Sequence, residues 1–312
     1  EEDALVKERD TLMTERAGLE DLLESDDLQW STIADQLRAT KKQFGKDWVI
    51  DGIKRGQRLT EFDTAGEVED VPIEAMIDRE PITVVCSQMG WIRAMTGHID
   101  LGRELKFKDG DGPRFIFHAE TTDRLLVFGS NGRFYTVSAA NLPGGRGMGE
   151  PLRLMVDLPN EVQIVSLFIH QPGRKLLVAS TAGDGFVVPE DDVVAQTRSG
   201  KQVLNVRGEG VSALVCHPVS GDSVATVGEN RKVLVFGLDE LPEMGRGKGV
   251  RLQKYKDGGL SDATTFTREA GLSWQDPAGR TRTEADLAEW TGKRASSGRM
   301  APRGFPRDNK FT

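Results

Sequence analysis

The residues best suited to chemistry are cations set among glycines. "NLPGGRGMGEPLR", Asn141 to Arg153, places Arg146 and Arg153 beside Gly144, Gly145 and Gly147. "GRGKGVRLQKYK", Gly245 to Lys256, places Arg246, Lys248, Arg251, Lys254 and Lys256 around Gly247 and Gly249. Glycine lets backbone N–H groups approach a phosphate and the cations neutralise it, so the chemistry on offer is phosphate binding without base readout. Composition alone fits turn glycines beside solubilising charges equally well. Recurrence favours the binding reading, because "AQTRSGKQ" and "GKRASSGRMAPRGFPR" are further loops of the same kind. Arg93 and Arg133, each just past a glycine turn, are candidates for the same surface.

Other chemistries find less support. Tyr135 and Tyr255 are the only tyrosines, and neither has the neighbouring arginine or acidic cluster for Mg²⁺ that phosphoryl transfer needs. The four histidines are scattered, and Cys216-His217 has no second ligand cluster, so no metal site is expected. "DGDG" at 109–112 and "GDG" at 183–185 lack the continuation of a calcium loop and are expected to be turns, and "PEDD" at 189–192 a solvated face. Cys86 and Cys216 sit in apolar, strand-like runs, as buried thiols of a reducing cytoplasm do. No run of about 18 apolar residues suggests a membrane span, and no signal-peptide pattern opens the chain.

The elements that must position the cations fall into two textures. The chain of 312 residues begins at Glu1 without an initiator methionine and is expected to be a piece of something longer. Residues 3–24 are rich in helix formers with Leu5, Leu12 and Leu19 seven apart, and Trp30, Ile33, Leu37 and Phe44 continue at helical spacing to Gly45. A helical hairpin or coiled-coil segment over 1–45 is expected, marginal without a partner helix, then a poorly structured linker over 46–79. From about residue 80 short β-branched runs repeat: "PITVVCSQMGWIRAMTG", "RLLVFGSNGRFYTVSAANL", "KLLVASTAGDGFVVPEDDV", "SVATVGENRKVLVFGLDEL" and a degraded "GLSWQDPAGRTRTEADLAEW". With Gly90, Gly132, Gly185, Asn230 and Gly279 as turn markers the period is 42 to 53 residues, which implies a mainly β, five-bladed propeller-like disc over 80–312. "SNGR" at 130–133 is expected to turn with positive φ at both central residues. Charge is segregated: residues 1–80 hold 11 Lys+Arg against 22 Asp+Glu, which leaves 30 against 27 for the rest, so the acidic total of −8 does not exclude a basic stripe on the disc.

"REPITVVCSQMGWIRAMTGH", "NLPGGRGMGEPL", "ASTAGDGFVV", "GRGKGVRL" and "EWTGKRASSGRMAPRG" occur in the order in which the C-terminal part of a bacterial type II DNA topoisomerase carries similar motifs. Within that group the chain resembles the topoisomerase IV A subunit. The helical front, down to "QFGKDW", is similar to the segment that returns from the exit-gate coiled coil. No Gln-Arg-Arg-Gly-Gly-Lys-Gly box of the sibling gyrase A subunit occurs. The resemblance implies a β-pinwheel that binds and bends duplex DNA inside an ATP-dependent decatenase, in the bacterial cytoplasm at the nucleoid. It implies, as partners in a heterotetramer, the B subunit of topoisomerase IV with a second A subunit. Catalysis, Mg²⁺ and ATP would be supplied outside this chain, which itself takes no cofactor. A rival expectation is a propeller that docks regulatory or chromosome-organisation proteins, served by the acidic front and by "PEDD".

Overall fold

The computed structural model describes residues 2–45, 49–50, 53–54, 78–276 and 278–311. The two N-terminal helices belong to one compact unit and the strands from Pro81 onward to another. The linker expected over 46–79 lies almost wholly outside the described residues.

Helix α1 spans Glu2–Glu24 and α2 spans Asp26–Phe44, so a single residue, Ser25, separates them. Ser25 leaves the helical region at φ −129° and its hydroxyl accepts from the Leu28 N–H at 3.3 Å, an N-cap that satisfies one orphan donor of α2. Asp26 and Asp27 in its first turn and Lys41 and Lys42 in its last complement the helix dipole. Gly45 ends the helix in extended backbone at φ −76°, not in the left-handed cap that its glycine suggested. Neither helix buries a residue, and Leu5, Leu12, Leu19, Trp30 and Leu37 are all exposed.

The second unit is a series of antiparallel blades. In the first, Pro113–Glu120, Pro81–Ser87, Trp91–Thr96 and Glu150–Pro151 lie side by side in that order. The second orders Ile164–Ile169, Arg124–Gly129, Arg133–Ser138 and Lys201–Gln202. The third orders Ala213–Pro218, Lys175–Ser180, Asp184–Pro189 and Val250–Arg251. The fourth orders Leu260–Phe266, Ser223–Gly228, Lys232–Gly237 and Arg299–Met300. The fifth is the hairpin of Leu272–Gln275 and Thr281–Glu284 alone. Strands such as Arg124–Gly129 and Lys175–Ser180 are buried continuously after their first residue, because each blade is covered on both faces; that is why their sequences run apolar instead of alternating.

Four apolar layers join successive blades: Val84 and Ile92 meet Val127 and Tyr135, Leu126 and Phe128 meet Val178 and Phe186, Leu177 and Val187 meet Val224 and Leu234, and Val227 and Val233 meet Leu272 and Trp274. None of the four joins the fifth blade to the first. Fully burying a side chain the size of Phe128 is worth roughly 1.5–3 kcal/mol, so each layer is a substantial bond between repeats.

All five hairpins turn alike, and not as the sequence suggested. Gly90, Gly132, Gly183, Arg231 and Gly279 have φ of +79°, +74°, +80°, +61° and +76°. Each donates its N–H to the carbonyl three residues back, on Ser87, Gly129, Ser180, Gly228 and Asp276. Asn131, expected at positive φ, is not left-handed. Its side-chain oxygen instead accepts from the Arg133 N–H at 3.1 Å, in a three-residue loop with one left-handed position. Gly185, expected at a turn, lies within a strand, and Asn230 sits one residue before the left-handed Arg231. Counted on the left-handed residues the repeats are 42, 51, 48 and 48 residues apart.

Candidate nucleic-acid interface

The outermost strand of each complete blade comes from the following repeat. After the second hairpin ends at Ser138, the chain crosses back to the first blade, pairs Glu150 and Pro151 with Ile92 and Trp91, and returns to its own blade as Ile164–Ile169. The crossing recurs in one register: Lys201 and Gln202 pair with Phe134 and Arg133, Val250 and Arg251 with Gly185 and Asp184, and Arg299 and Met300 with Val233 and Lys232. A glycine precedes each short strand, Gly149, Gly200, Gly249 and Gly298, at φ of +85°, +70°, +81° and +72°. A Cβ on any of them would fall well inside contact distance of the carbonyl oxygen of Ile92, Phe134, Gly185 or Val233. Only glycine serves there, for conformation and for space together.

The loops are anchored a second time upstream, so their middles stand out as clamped bulges. The Ala94 N–H donates to the Pro143 carbonyl at 2.8 Å, Val187 to Pro242 at 3.1 Å and Val235 to Trp290 at 2.8 Å, while the Thr136 hydroxyl accepts from the Ala195 N–H at 2.8 Å. Between anchor and short strand, the bulges carry Arg146, Arg198, Arg246 with Lys248, and Lys293 with Arg294. Every complete blade therefore presents at least one cation on its outer edge, on a backbone held at both ends.

The nine predicted cations divide accordingly. Arg146, Arg246, Lys254 and Lys256 are exposed, and among the described residues their side chains make no hydrogen bond or ion pair. Lys248 and Arg251 are spent on the buried Asp184 carboxylate, at 3.1 and 2.9 Å. Arg153 donates to the Asn160 side chain at 2.5 Å. Arg133 lies half-buried, with its guanidinium on the Ser199 and Gly200 carbonyls at 3.0 Å each. Arg93 is only 6% exposed, and its guanidinium donates to the Gly147 and Lys106 carbonyls with the Phe107 ring 5.8 Å away. It holds the Gly144–Gly149 bulge down from within the fold.

The predicted glycines likewise face the blades. Gly145 lies against Met95 and Ala94, Gly247 against Met244, Gly249 against Gly185, and the Gly147 carbonyl takes the Arg93 guanidinium; Gly144 alone looks onto open space. Sequence reasoning overlooked Lys201, Lys293 and Arg299, exposed cations at equivalent places on the second and fourth blades. The glycine one residue before Lys201 and Arg299 was the available signal.

Two acidic readings need correction. Glu190 of "PEDD" is wholly buried, accepting from the Arg174 Nε at 2.5 Å, the Gln171 N–H at 2.6 Å and facing His170 Nδ1 at 3.1 Å; only Asp191 and Asp192 reach solvent. The acid run is half a structural ion-pair network, because an arginine and a histidine from the neighbouring strand connection need a buried partner. In "GDG", Gly183 turns, but Asp184 and Gly185 begin a strand. In "DGDG", Asp111 accepts from the Met89 and Gly112 N–H groups at 3.0 and 2.8 Å and fixes the first hairpin's tip.

Comparison with known proteins follows the blade pattern. The family model of the DNA gyrase C-terminal domain, beta-propeller, matches residues 123–171, 174–215 and 222–260, which are the second to fourth blades. The chain is 42% identical to the DNA topoisomerase 4 A subunit of Rickettsia bellii and 44% identical to that of Caulobacter vibrioides, in each case over all of this chain and 41% of the relative. The C-terminal domain of Escherichia coli ParC superposes with a TM-score of 0.63 at 28% identity, covering 73% of this chain and 96% of that one. The chain belongs to the family of C-terminal domains of the topoisomerase IV A subunit. It spans about two fifths of the length of these curated relatives. A crystal structure of a DNA topoisomerase IV C-terminal domain, at 18% identity and a TM-score of 0.60, shares the fold. Among the described residues no helix is long and apolar enough to cross a membrane.

Proposed function

We propose that the blade edges form a phosphate-tracking rim on which duplex DNA binds and bends, and that the chain positions DNA segments for ATP-dependent decatenation and supercoil relaxation by a type II topoisomerase. The observation that carries this reading is the recurrence of an exposed cation on a doubly anchored bulge in each complete blade. Phosphate contacts neither need nor give base information, which suits a surface built from glycine, arginine and lysine. The enzyme would hold two copies of the polypeptide to which this chain belongs, together with the B subunit, acting at the bacterial nucleoid.

Strand cleavage would fall to other parts of that assembly. Tyr135 is 1% exposed inside the layer between the first and second blades, and burial pushes the Tyr255 phenol up from its ordinary value, so neither is poised as a nucleophile. Among the described residues no three histidine, cysteine or acidic side chains are arranged to hold a metal ion, and ATP and Mg²⁺ would be used elsewhere in the enzyme. Titration of the chain with unrelated linear duplexes across salt concentrations tests the binding role: similar affinities and a steep loss with salt are expected, and weak, salt-insensitive binding would refute it. A denaturing gel should show no DNA attached to Tyr135 or Tyr255; a covalent adduct would overturn the division of labour.

A further inference from the structure

The fifth blade lacks the strand that every other blade receives. Its hairpin is a two-stranded sheet, and among the described residues no strand pairs with the outer edge of Thr281–Glu284, in which Thr281 corresponds to Ile92, Phe134, Gly185 and Val233 of the filled edges. The filled edges define what fits. A left-handed glycine comes first, then two extended residues in fixed register, then an apolar side chain turned inward: Leu152, Val203 and Leu252 are fully buried and Ala301 partly so. An open edge is otherwise a liability for pairing with foreign chains.

One further segment has this order of residue types, its glycine not yet left-handed, at the same place in its repeat, between the second hairpin strand and the innermost strand. It is Gly102-Arg103-Glu104-Leu105, in the connection from Thr96 to Pro113. In the later repeats this connection reaches back to the preceding blade. The first blade's copy joins no ladder: the Gly102 and Arg103 N–H groups rest on Asp100, at 2.9 and 3.1 Å, and the adjoining Leu101 is 47% exposed.

We infer that Gly102–Leu105 is the closing segment of the fifth blade, and that it docks on the edge at Arg280–Thr281 and ties the first blade to the last within one chain. The common register sets Arg103 opposite Thr281 and Glu104 opposite Arg280, with Gly102 against the Thr281 carbonyl and Leu105 turned inward. Opposite charges directly across a pair of strands are favourable, and Glu104 then faces Arg280. Gly102 reaches positive φ readily because it has no Cβ. The connection, residues 97–112, is shorter than its counterparts, yet half of it still spans roughly 25 Å when extended. The inference uses no DNA contact and does not rest on the DNA reading.

The test is a cysteine pair, Arg103→Cys with Thr281→Cys, in the whole chain. The native thiols, Cys86 and Cys216, are buried and do not compete. Mild oxidation is expected to give an intramolecular disulfide in the monomer, at least five-fold faster than in an Asp109→Cys, Thr281→Cys control. Adding Gly102→Val should slow it at least as much, and in the chain without cysteine substitutions Gly102→Val should speed hydrogen exchange at Thr281–Glu284. A disulfide no faster than the control, one formed only between two chains, or exchange unchanged by Gly102→Val would overturn the inference.

Discussion

Reversing Arg146 and Arg246 to glutamate removes two cations that are exposed and without side-chain partners among the described residues. The edges and adjoining loops offer further unpaired cations in Lys201, Lys254, Lys256, Lys293 and Arg299. If each of these seven neutralises one phosphate, the log–log dependence of affinity on salt has a slope of about −6, and the double reversal brings it to about −4.5. Between 50 and 200 mM salt the unaltered chain then loses roughly four decades of affinity and the variant roughly three. Fluorescence anisotropy with two duplexes of unrelated sequence measures both quantities, and the loss should be the same for each. Glu161→Lys with Glu209→Lys, on exposed acids away from the bulges, raises net charge as far as the first pair lowers it and should leave the slope alone. Unchanged affinity and slope in the double reversal, with the fold intact by circular dichroism, would refute the rim.

Two further outcomes are expected. Gly249→Ala forces a Cβ into left-handed backbone and against the Gly185 carbonyl and should destabilise by about 2 kcal/mol or more in urea, whereas Gly144→Ala, in open space without positive φ, should stay within about 0.5 kcal/mol. Burial pushes the Cys86 thiol up to about 12 and Cys216 upward as well, so neither thiolate forms near pH 8; a thiol reagent should label both only after unfolding, and labelling of the native chain would contradict the buried placement.

The hairpins were legible because a strand covered on both faces leaves a continuous apolar run, as in "RLLVFG" and "KLLVAS", and because a glycine follows most of them at the left-handed turn position. The exchanged outer strands were not, since a two-residue strand such as Lys201–Gln202 has no periodicity to detect. Arg93 and Arg133 resembled rim cations in sequence because nothing local tells whether a guanidinium will meet solvent or a carbonyl brought from 54 or 67 residues away. Glu190 was hidden within an acidic run for the same reason: its partner Arg174 reaches it only through the fold of the third blade. Arg231 takes the left-handed position that glycine occupies in the other hairpins, with its guanidinium on the Phe305 and Pro306 carbonyls.

The glycines of the basic loops therefore have a purpose different from the one their composition suggested. They bring the loop onto the carbonyls of the preceding blade and leave phosphate neutralisation to the side chains between the anchors. A cation on a backbone already fixed at both ends loses mainly side-chain freedom on binding, because the backbone cost of about 1–2 kcal/mol per residue was met on folding. Blade closure and cation display are thus one structure. Substituting a strand-entry glycine should lower stability and DNA affinity together, whereas substituting Arg146 or Arg246 should lower affinity alone. That separation distinguishes a rim organised by the repeats from scattered surface charge, for which glycine and arginine substitutions would have unrelated effects.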